Sequence, residues 1–400
     1  MSNPFVLHTR VVTGTGGGPE KTILNSPRYL RKYGIDCACL FMRPPGDAGF
    51  RSLESKAAVA QAEIIGVDDR GALDWRVIRD CLQVCRQRKV TIWHAHDYKS
   101  NALGLLLSWF HPMHLVTTAH GWVRFTSKTP LYYRIDRFCM KRYEQIICVS
   151  QDLAGTCNEI RIPQERVHQI DNAIVLDEYS VGPPMLEDKA RFGFHSQQIL
   201  IGAVGRLSEE KGFHHLINVV SRLVEEKRQV GLVIAGEGHL REQLQNQIRR
   251  LDLQDHVRLC GFLSDPRELY RAIDLFVLSS IREGLPNVVL EAMASRRAVV
   301  ATSCNGIPKL MQNDRNGLVV PVDDEPALLE AVRNCISSDA LRERLAAAGR
   351  STIEEGYCFD RRMRKVVNVY RKLSPELAIR IPGDLNRADV ATHHELCVSV

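Results

Sequence analysis

No apolar run in this 400-residue chain is long enough to cross a membrane. The longest candidate, residues 102–110, is under half of the ~20 residues a spanning helix needs. The twelve cysteines include no C-x-x-C. The close pairs, Cys37/Cys39 and Cys81/Cys85, have neither zinc-ribbon nor redox spacing. No secretory leader opens the sequence, so reduced thiols in a cytosol are expected. The glycine-rich run 14–18 stops one residue short of a dinucleotide fingerprint, because G-x-G-x-x-G requires glycine where Pro19 stands. The charge excess is also small. A formal +6 suits an anionic small ligand or an acidic membrane surface, and no nucleic-acid partner is expected.

What is present is the balance of a soluble globular protein, 44% hydrophobic and 25% charged, at a length that predicts two domains. Short apolar runs at 4–8, 35–42, 63–67, 90–94, 115–118 and 145–149 are separated by helical patterns. A second series restarts at 199–204, 230–235, 257–260, 275–278 and 298–302. Such alternation predicts parallel sheets. The expected fold is α/β, with two Rossmann-like doubly wound domains facing each other across a cleft. The first covers 1–170 and the second 186–358. A linker at 171–185 holds Gly182, Pro183 and Pro184. Residues 359–384 are expected to form a helix returning to the first domain, and 385–400 a loose tail.

The most informative stretch is 282–295, REGLPNVVLEAMAS. Glu283 and Gly284 stand at the carboxyl end of the 275–278 strand, where doubly wound sheets bind ligands. Leu285, Pro286 and Asn287 lead into a helix, with Pro286 placed in its first turn. Glu291 is the only charge between Val288 and Ala294, so it needs a partner. The helix amino end offers N–H groups and partial positive charge to a phosphate, and the two carboxylates suit sugar hydroxyls.

E-G-L-P-N-V-V-L-E-A-M-A resembles the E-x7-E motif of the family-4 retaining glycosyltransferases (glycosyl transferases group 1), which have the GT-B fold. The resemblance covers roughly residues 3 to 372 and implies an acceptor domain followed by a nucleotide-sugar donor domain. It implies that Glu283 holds the donor sugar near the reacting carbon and Glu291 the ribose hydroxyls. Gly17-Gly18-Pro19-Glu20 resembles the family's G-G-x-E loop, which lies over the donor phosphates and meets the acceptor through Glu20. Thr117-Thr-Ala-His120-Gly121 resembles its T-x-H-G segment, which implies that His120 lies beside the transferred sugar as a hydrogen-bonding group. His96, in His94-Ala-His96-Asp97, is read as lining the cleft, with a structural histidine an equal reading. Gly205-Arg206 through Lys211-Gly212 resembles the G-R-x-x-x-x-K-G motif. Arg206 and Lys211 would then clamp the donor diphosphate, the guanidinium gripping oxygens in pairs and the ammonium acting as a point charge. The segment ending at Phe262 resembles the loop whose backbone meets the base. Asn305 and Lys309 depart from the family's G-G-x-P-E turn.

The chain has no Asp-x-Asp triplet, the metal-holding pattern of sugar transferases of the other fold. No cofactor or metal is therefore expected. The implied activity is transfer from a UDP- or GDP-sugar to a glycan or lipid-linked acceptor, in cell-surface, extracellular or lipopolysaccharide polysaccharide synthesis. A sugar-nucleotide epimerase of the same fold and a non-catalytic binding member are the rivals. Pro27 predicts a kink or early end to the helix that follows Pro19. In 128–142, Arg134, Arg137 and Lys141 share one helical face, with Tyr132, Tyr133, Phe138 and Met140 around them. That pattern suits peripheral binding to an anionic inner membrane face, and a solvated charged face explains it equally.

Overall fold

Alternating burial explains both sheets. In a strand covered on both sides, successive side chains enter opposite cores, so the strand reads as an unbroken apolar run. Leu200 and Ile201 are neighbours in sequence and belong to different hydrophobic clusters, as do Leu232 and Val233. The computed structural model describes residues 3–14, 16–71, 74–120, 129–179, 182 and 186–373. Gly121, residue 128 at the start of the basic segment, residues 180–181 and 183–185 of the expected linker, residues 374–384 of the expected returning helix and the expected tail lie outside the described residues.

The described chain forms two compact units, one running to Ile170 and resuming at Arg362, the other spanning Asp171–Arg361. The first holds seven parallel strands: β1 (Phe5–Val11), β2 (Asp36–Arg43), β3 (Glu63–Asp68), β4 (Ile92–Ala95), β5 (His114–Ala119), β6 (Gln145–Cys148) and β7 (Val167–Gln169). Their order is β3-β2-β1-β4-β5-β6-β7. The second unit holds β8 (Ile199–Val204), β9 (Val230–Ala235), β10 (Val257–Gly261), β11 (Leu275–Leu278), β12 (Ala298–Thr302) and β13 (Leu318–Val320). Its order is β10-β9-β8-β11-β12-β13, again all parallel. In both, the order reverses beside the first strand of the unit, so β1/β4 and β8/β11 are the switch points where such sheets open a ligand crevice. The edge strands β7 and β13 were not expected from sequence.

The helix Gly18–Leu30 passes through Pro27 and continues for another three residues, correcting the expected early end. Proline removes the N–H that would reach the carbonyl four residues back. That carbonyl, on Ile23, instead accepts from the Cys39 thiol of β2 at 3.5 Å. The last described helix, Phe359–Arg371, packs on the first unit: Ser26 Oγ donates to Met363 Sδ at 3.7 Å, and Tyr370 reaches His94. In the helix Thr129–Met140, Arg134, Arg137 and Phe138 are exposed, and Lys141 just after it is too. Met140 is buried, a correction to its expected place on that face.

Candidate active site

The second unit's switch point is built from loops packed backbone to backbone. The loop after β8 carries Gly205, Arg206 and Lys211, and closes at Gly212 in a left-handed turn (φ +59°). A Cβ on Gly212 would lie 2.2 Å from the Ser279 carbonyl oxygen, just past β11. Gly236, after β9, has φ +147°, and a Cβ there would lie 1.8 Å from the Gly205 carbonyl oxygen. Only glycine permits these approaches. They bring the β8 and β11 loops close enough for Lys211 Nζ to pair with Glu283 Oε1, across 72 residues of sequence. Ser280 Oγ donates to the same carboxylate oxygen at 2.9 Å, and Ser279 Oγ donates to the Lys211 carbonyl at 2.9 Å. Thr302, at the end of β12, donates to the Ser280 carbonyl at 2.5 Å. Arg206 is exposed beside them.

The following helix is Asn287–Ala294, with Pro286 as its N-cap residue (φ −76°, ψ 120°), one position before the expected first turn. Its first internal bonds run from Val289 and Leu290 to the Pro286 carbonyl, so the N–H groups of Asn287 and Val288 precede the intrahelical ladder. Glu291 lies on the buried side, 5% exposed, and accepts from Tyr270 Oη at 2.9 Å. This is the partner its sequence context required. Burial raises the Tyr270 phenol pKa first and the Glu291 charge next, so Tyr270 stays the donor. Leu285 is buried, whereas Gly284 is exposed and its carbonyl accepts from Gly306 N–H at 3.2 Å. Phe262, after β10, is 54% exposed. Lys309 pairs with Asp171 at 2.7 Å, which accounts for lysine at that divergent turn.

The first unit's switch point is different. His8 on β1 is in register with His94 on β4. His96 lies two residues after His94, just past β4, and His120 two residues after Thr118, just past β5. His8 Nδ1 meets His96 Nε2 at 2.8 Å, and His96 Nδ1 meets His120 Nε2 at 3.0 Å. His94 bonds Tyr370 Oη at 2.6 Å and Thr118 Oγ1 at 2.7 Å, and its ring stacks on His96 at 4.5 Å. His8, His94 and His96 are buried and His120 is half-buried. Burial first, and neighbouring cations and imidazoles next, hold all four below the ordinary histidine range, His8 down to about 3. His8, His94 and His96 offer three ligand atoms within 4.8 Å of one another, so this is also where a metal could be held.

Glu20 is buried between two partners. Arg10 Nε donates to Oε1 at 2.5 Å, and Gly17 N–H donates to Oε2 at 2.7 Å, which caps the helix that Gly18 begins. Arg10 also donates to the His96 carbonyl at 2.7 Å. Of the residues expected from sequence, Lys211 and Glu283 meet in one unit, and His96 and His120 meet in the other. Ser280, Tyr270, His8, His94 and Tyr370 were not expected. The strand-end motif His94-Ala-His96 hinted at the cluster, but no local signal points to His8.

Residues 185–352 match the profile of the glycosyl transferases group 1, and residues 16–178 that of glycosyltransferase family 4. The chain is 25% identical over 342 residues to the lipopolysaccharide core biosynthesis glycosyltransferase LpsE of Rhizobium meliloti, covering 85% of this chain and 92% of that one. It is 22% identical over 308 residues to an Escherichia coli UDP-Gal:α-D-GlcNAc-diphosphoundecaprenol α-1,3-galactosyltransferase, covering 74% and 79%. Among solved structures, the Anabaena protein HepE in complex with UDP and glucose superposes with a TM-score of 0.77 at 19% identity, covering 92% and 100%.

Proposed function

The chain belongs to family 4 of the glycosyltransferases, the group 1 glycosyl transferases of GT-B fold, and on that premise we propose that it moves a sugar from a nucleoside diphosphate to a glycan or lipid-linked acceptor with retention of configuration. The observation that carries this reading is the Lys211–Glu283 pair at the β8/β11 switch point, with Arg206 on the same loop as Lys211 and a helix that begins at Asn287 soon after Glu283. In the proposed step the bond from the anomeric carbon to the diphosphate oxygen breaks and its electron pair leaves with the diphosphate. The acceptor hydroxyl bonds the same face of that carbon, and its proton passes to the departing diphosphate. Arg206, Lys211 and the N–H groups of Asn287 and Val288 stabilise the charge that grows on the leaving group, in place of a metal. Lys211 and Glu283 neutralise each other here. A diphosphate that draws Lys211 away leaves Glu283 to hold the sugar, while Glu291 serves the ribose and the backbone at Phe262 the base. His120 is assigned to the sugar, Glu20 to the acceptor and the Gly17–Gly18 loop to the donor phosphates.

UDP- and GDP-sugars are the donor candidates. HepE's UDP and the lipid-linked acceptor in the E. coli relative's name support a UDP-sugar and a membrane-borne glycan acceptor. Lipopolysaccharide or related polysaccharide synthesis on the inner membrane face is the proposed setting. Among the described residues no helix is long and apolar enough to cross a membrane. Exposed Arg134, Arg137 and Lys141 beside Phe138, 55% exposed, support peripheral attachment.

The test is transfer from a panel of UDP- and GDP-sugars in excess EDTA, with wild type and Glu283→Ala. Wild type turns over and the folded variant does not. Near-normal turnover by Glu283→Ala, or a reversible loss on chelation, would sink the corresponding claim. In flotation assays wild type follows anionic rather than neutral vesicles, less so as salt rises. Equal binding to both would remove the membrane reading.

A further inference from the structure

We propose that His8 and His96 are positioning residues that fix the tautomer of His120, so that its Nδ1 carries the proton and presents a hydrogen-bond donor. The significance for catalysis rests on the reading above, in which His120 lies beside the transferred sugar.

Three rings form one line of contacts, His8 Nδ1 to His96 Nε2 at 2.8 Å and His96 Nδ1 to His120 Nε2 at 3.0 Å. A contact between two imidazole nitrogens holds one proton. His8 and His96 are buried and His120 half-buried, and among the described residues no carboxylate bonds any of the three, so each ring is neutral. Three neutral rings carry three protons, and two of them occupy the contacts. The third therefore sits at one end of the line, on His8 Nε2 or on His120 Nδ1.

His8 Nε2 is buried with no hydrogen-bond partner. An N–H there would be an orphaned buried donor, the rarer kind of defect in folded proteins; a bare lone pair is tolerated more often. Arg362 acts on both His8 and His120, and Arg10 on His120 as well, so the choice between the ends rests on the unpartnered His8 Nε2. The His8 end is therefore bare, and both contact protons point the same way. His8 Nδ1–H donates to His96 Nε2, and His96 Nδ1–H donates to His120 Nε2. His120 Nε2 is then an acceptor already in use, and its proton is on Nδ1.

His94 stands beside this line, its nitrogens engaged by Tyr370 and Thr118, and its ring holds His96 in place by stacking. The rival occupant of the cluster is a divalent metal, since His8, His94 and His96 ligand atoms gather within 4.8 Å. Against it, the 2.8 Å His8–His96 contact is shorter than the ~3.3 Å between two nitrogens on one tetrahedral zinc.

A locked donor has a chemical consequence. His120 can donate to a sugar oxygen but has no free lone pair with which to take a proton from the acceptor. Long-range proton–nitrogen NMR on histidine-labelled full-length protein reads each tautomer directly, without turnover. The expected result is Nδ1–H at His120 in wild type, and mixed tautomers in His96→Phe. An Nε2–H at His120 in wild type would overturn the proposal. So would a stoichiometric divalent ion, found by elemental analysis and lost in His8→Phe. Activity tests the other half. The amide nitrogen of asparagine overlays Nδ1 and that of glutamine overlays Nε2, so His120→Asn should keep at least about tenfold more kcat/KM than His120→Gln. Equal losses, with Nδ1–H seen by NMR, would support the tautomer and overturn the placement of His120 beside the sugar.

Discussion

The two switch points have the same topology and opposite chemistry. At β1/β4 the face away from the larger aliphatic core is filled by imidazoles that burial keeps neutral, sealed by Tyr370. At β8/β11 the strand ends carry formal charge, Lys211 against Glu283, on loops that glycines bring into backbone contact. The difference shows what each crevice is suited to. Neutral rings orient and donate, and they do not attract a polyanion. Paired charges on glycine-tightened loops sit where a diphosphate can exchange with a carboxylate.

Acid should break the comparison most strongly. A histidine held neutral in the folded state takes up a proton on unfolding, so folding stability is complete above pH 6.5 and falls as pH drops toward the folded value. For His8 that window runs from 6.5 to about 3. At pH 5 it alone costs about 2 kcal/mol. His94 and His96, which face His8, shift the same way. All four tryptophans lie before residue 123, so their fluorescence reports the first unit. Between pH 7 and 5 the denaturant midpoint by fluorescence should fall well ahead of the midpoint by circular dichroism. Parallel shifts would mean the cluster does not set acid stability.

The charged crevice is tested by its ligand. Removing one charge-assisted contact to phosphate costs about 1.5–3 kcal/mol. Arg206→Ala and Lys211→Ala should therefore each lower kcat/KM by roughly ten- to a hundredfold or more. Arg206→Lys should still hurt, because the planar fork is lost. Calorimetry should show nucleoside diphosphate binding weakened in both alanine variants, with the bare nucleoside almost unaffected. Equal losses for both ligands would assign these residues to the fold or the base.

A smaller effect sharpens the role of Glu291. Tyr270→Phe removes one hydrogen bond from a buried carboxylate that Tyr179 also bonds, and should lower stability by about 1 kcal/mol. An unchanged Tm would mean that water or another group replaces the phenol.

The fold was legible because buried parallel strands announce themselves as apolar runs, and turn residues punctuate them. The Lys211–Glu283 meeting of the second unit's candidate site was legible for a related reason: both residues lie in loops that follow strands, and such a loop is a local feature. What could not be read is pairing at long range. Nothing near His8 indicates that β1 will lie beside β4 and place it against His96. Nothing near Pro27 says that Cys39 will serve the carbonyl it leaves open. β7 and β13, at three residues each, are too short to show a period.

The return of the last helix to the first unit has a consequence for synthesis. The first sheet precedes the second unit in the chain, but Met363, which meets Ser26, and Tyr370, which meets His94, follow about 190 residues of that unit. At translation rates of about 5–20 residues per second, that is a wait of roughly 10–40 s. The first unit is therefore completed only after the second unit has been made, and His94 waits until then for the hydroxyl of Tyr370.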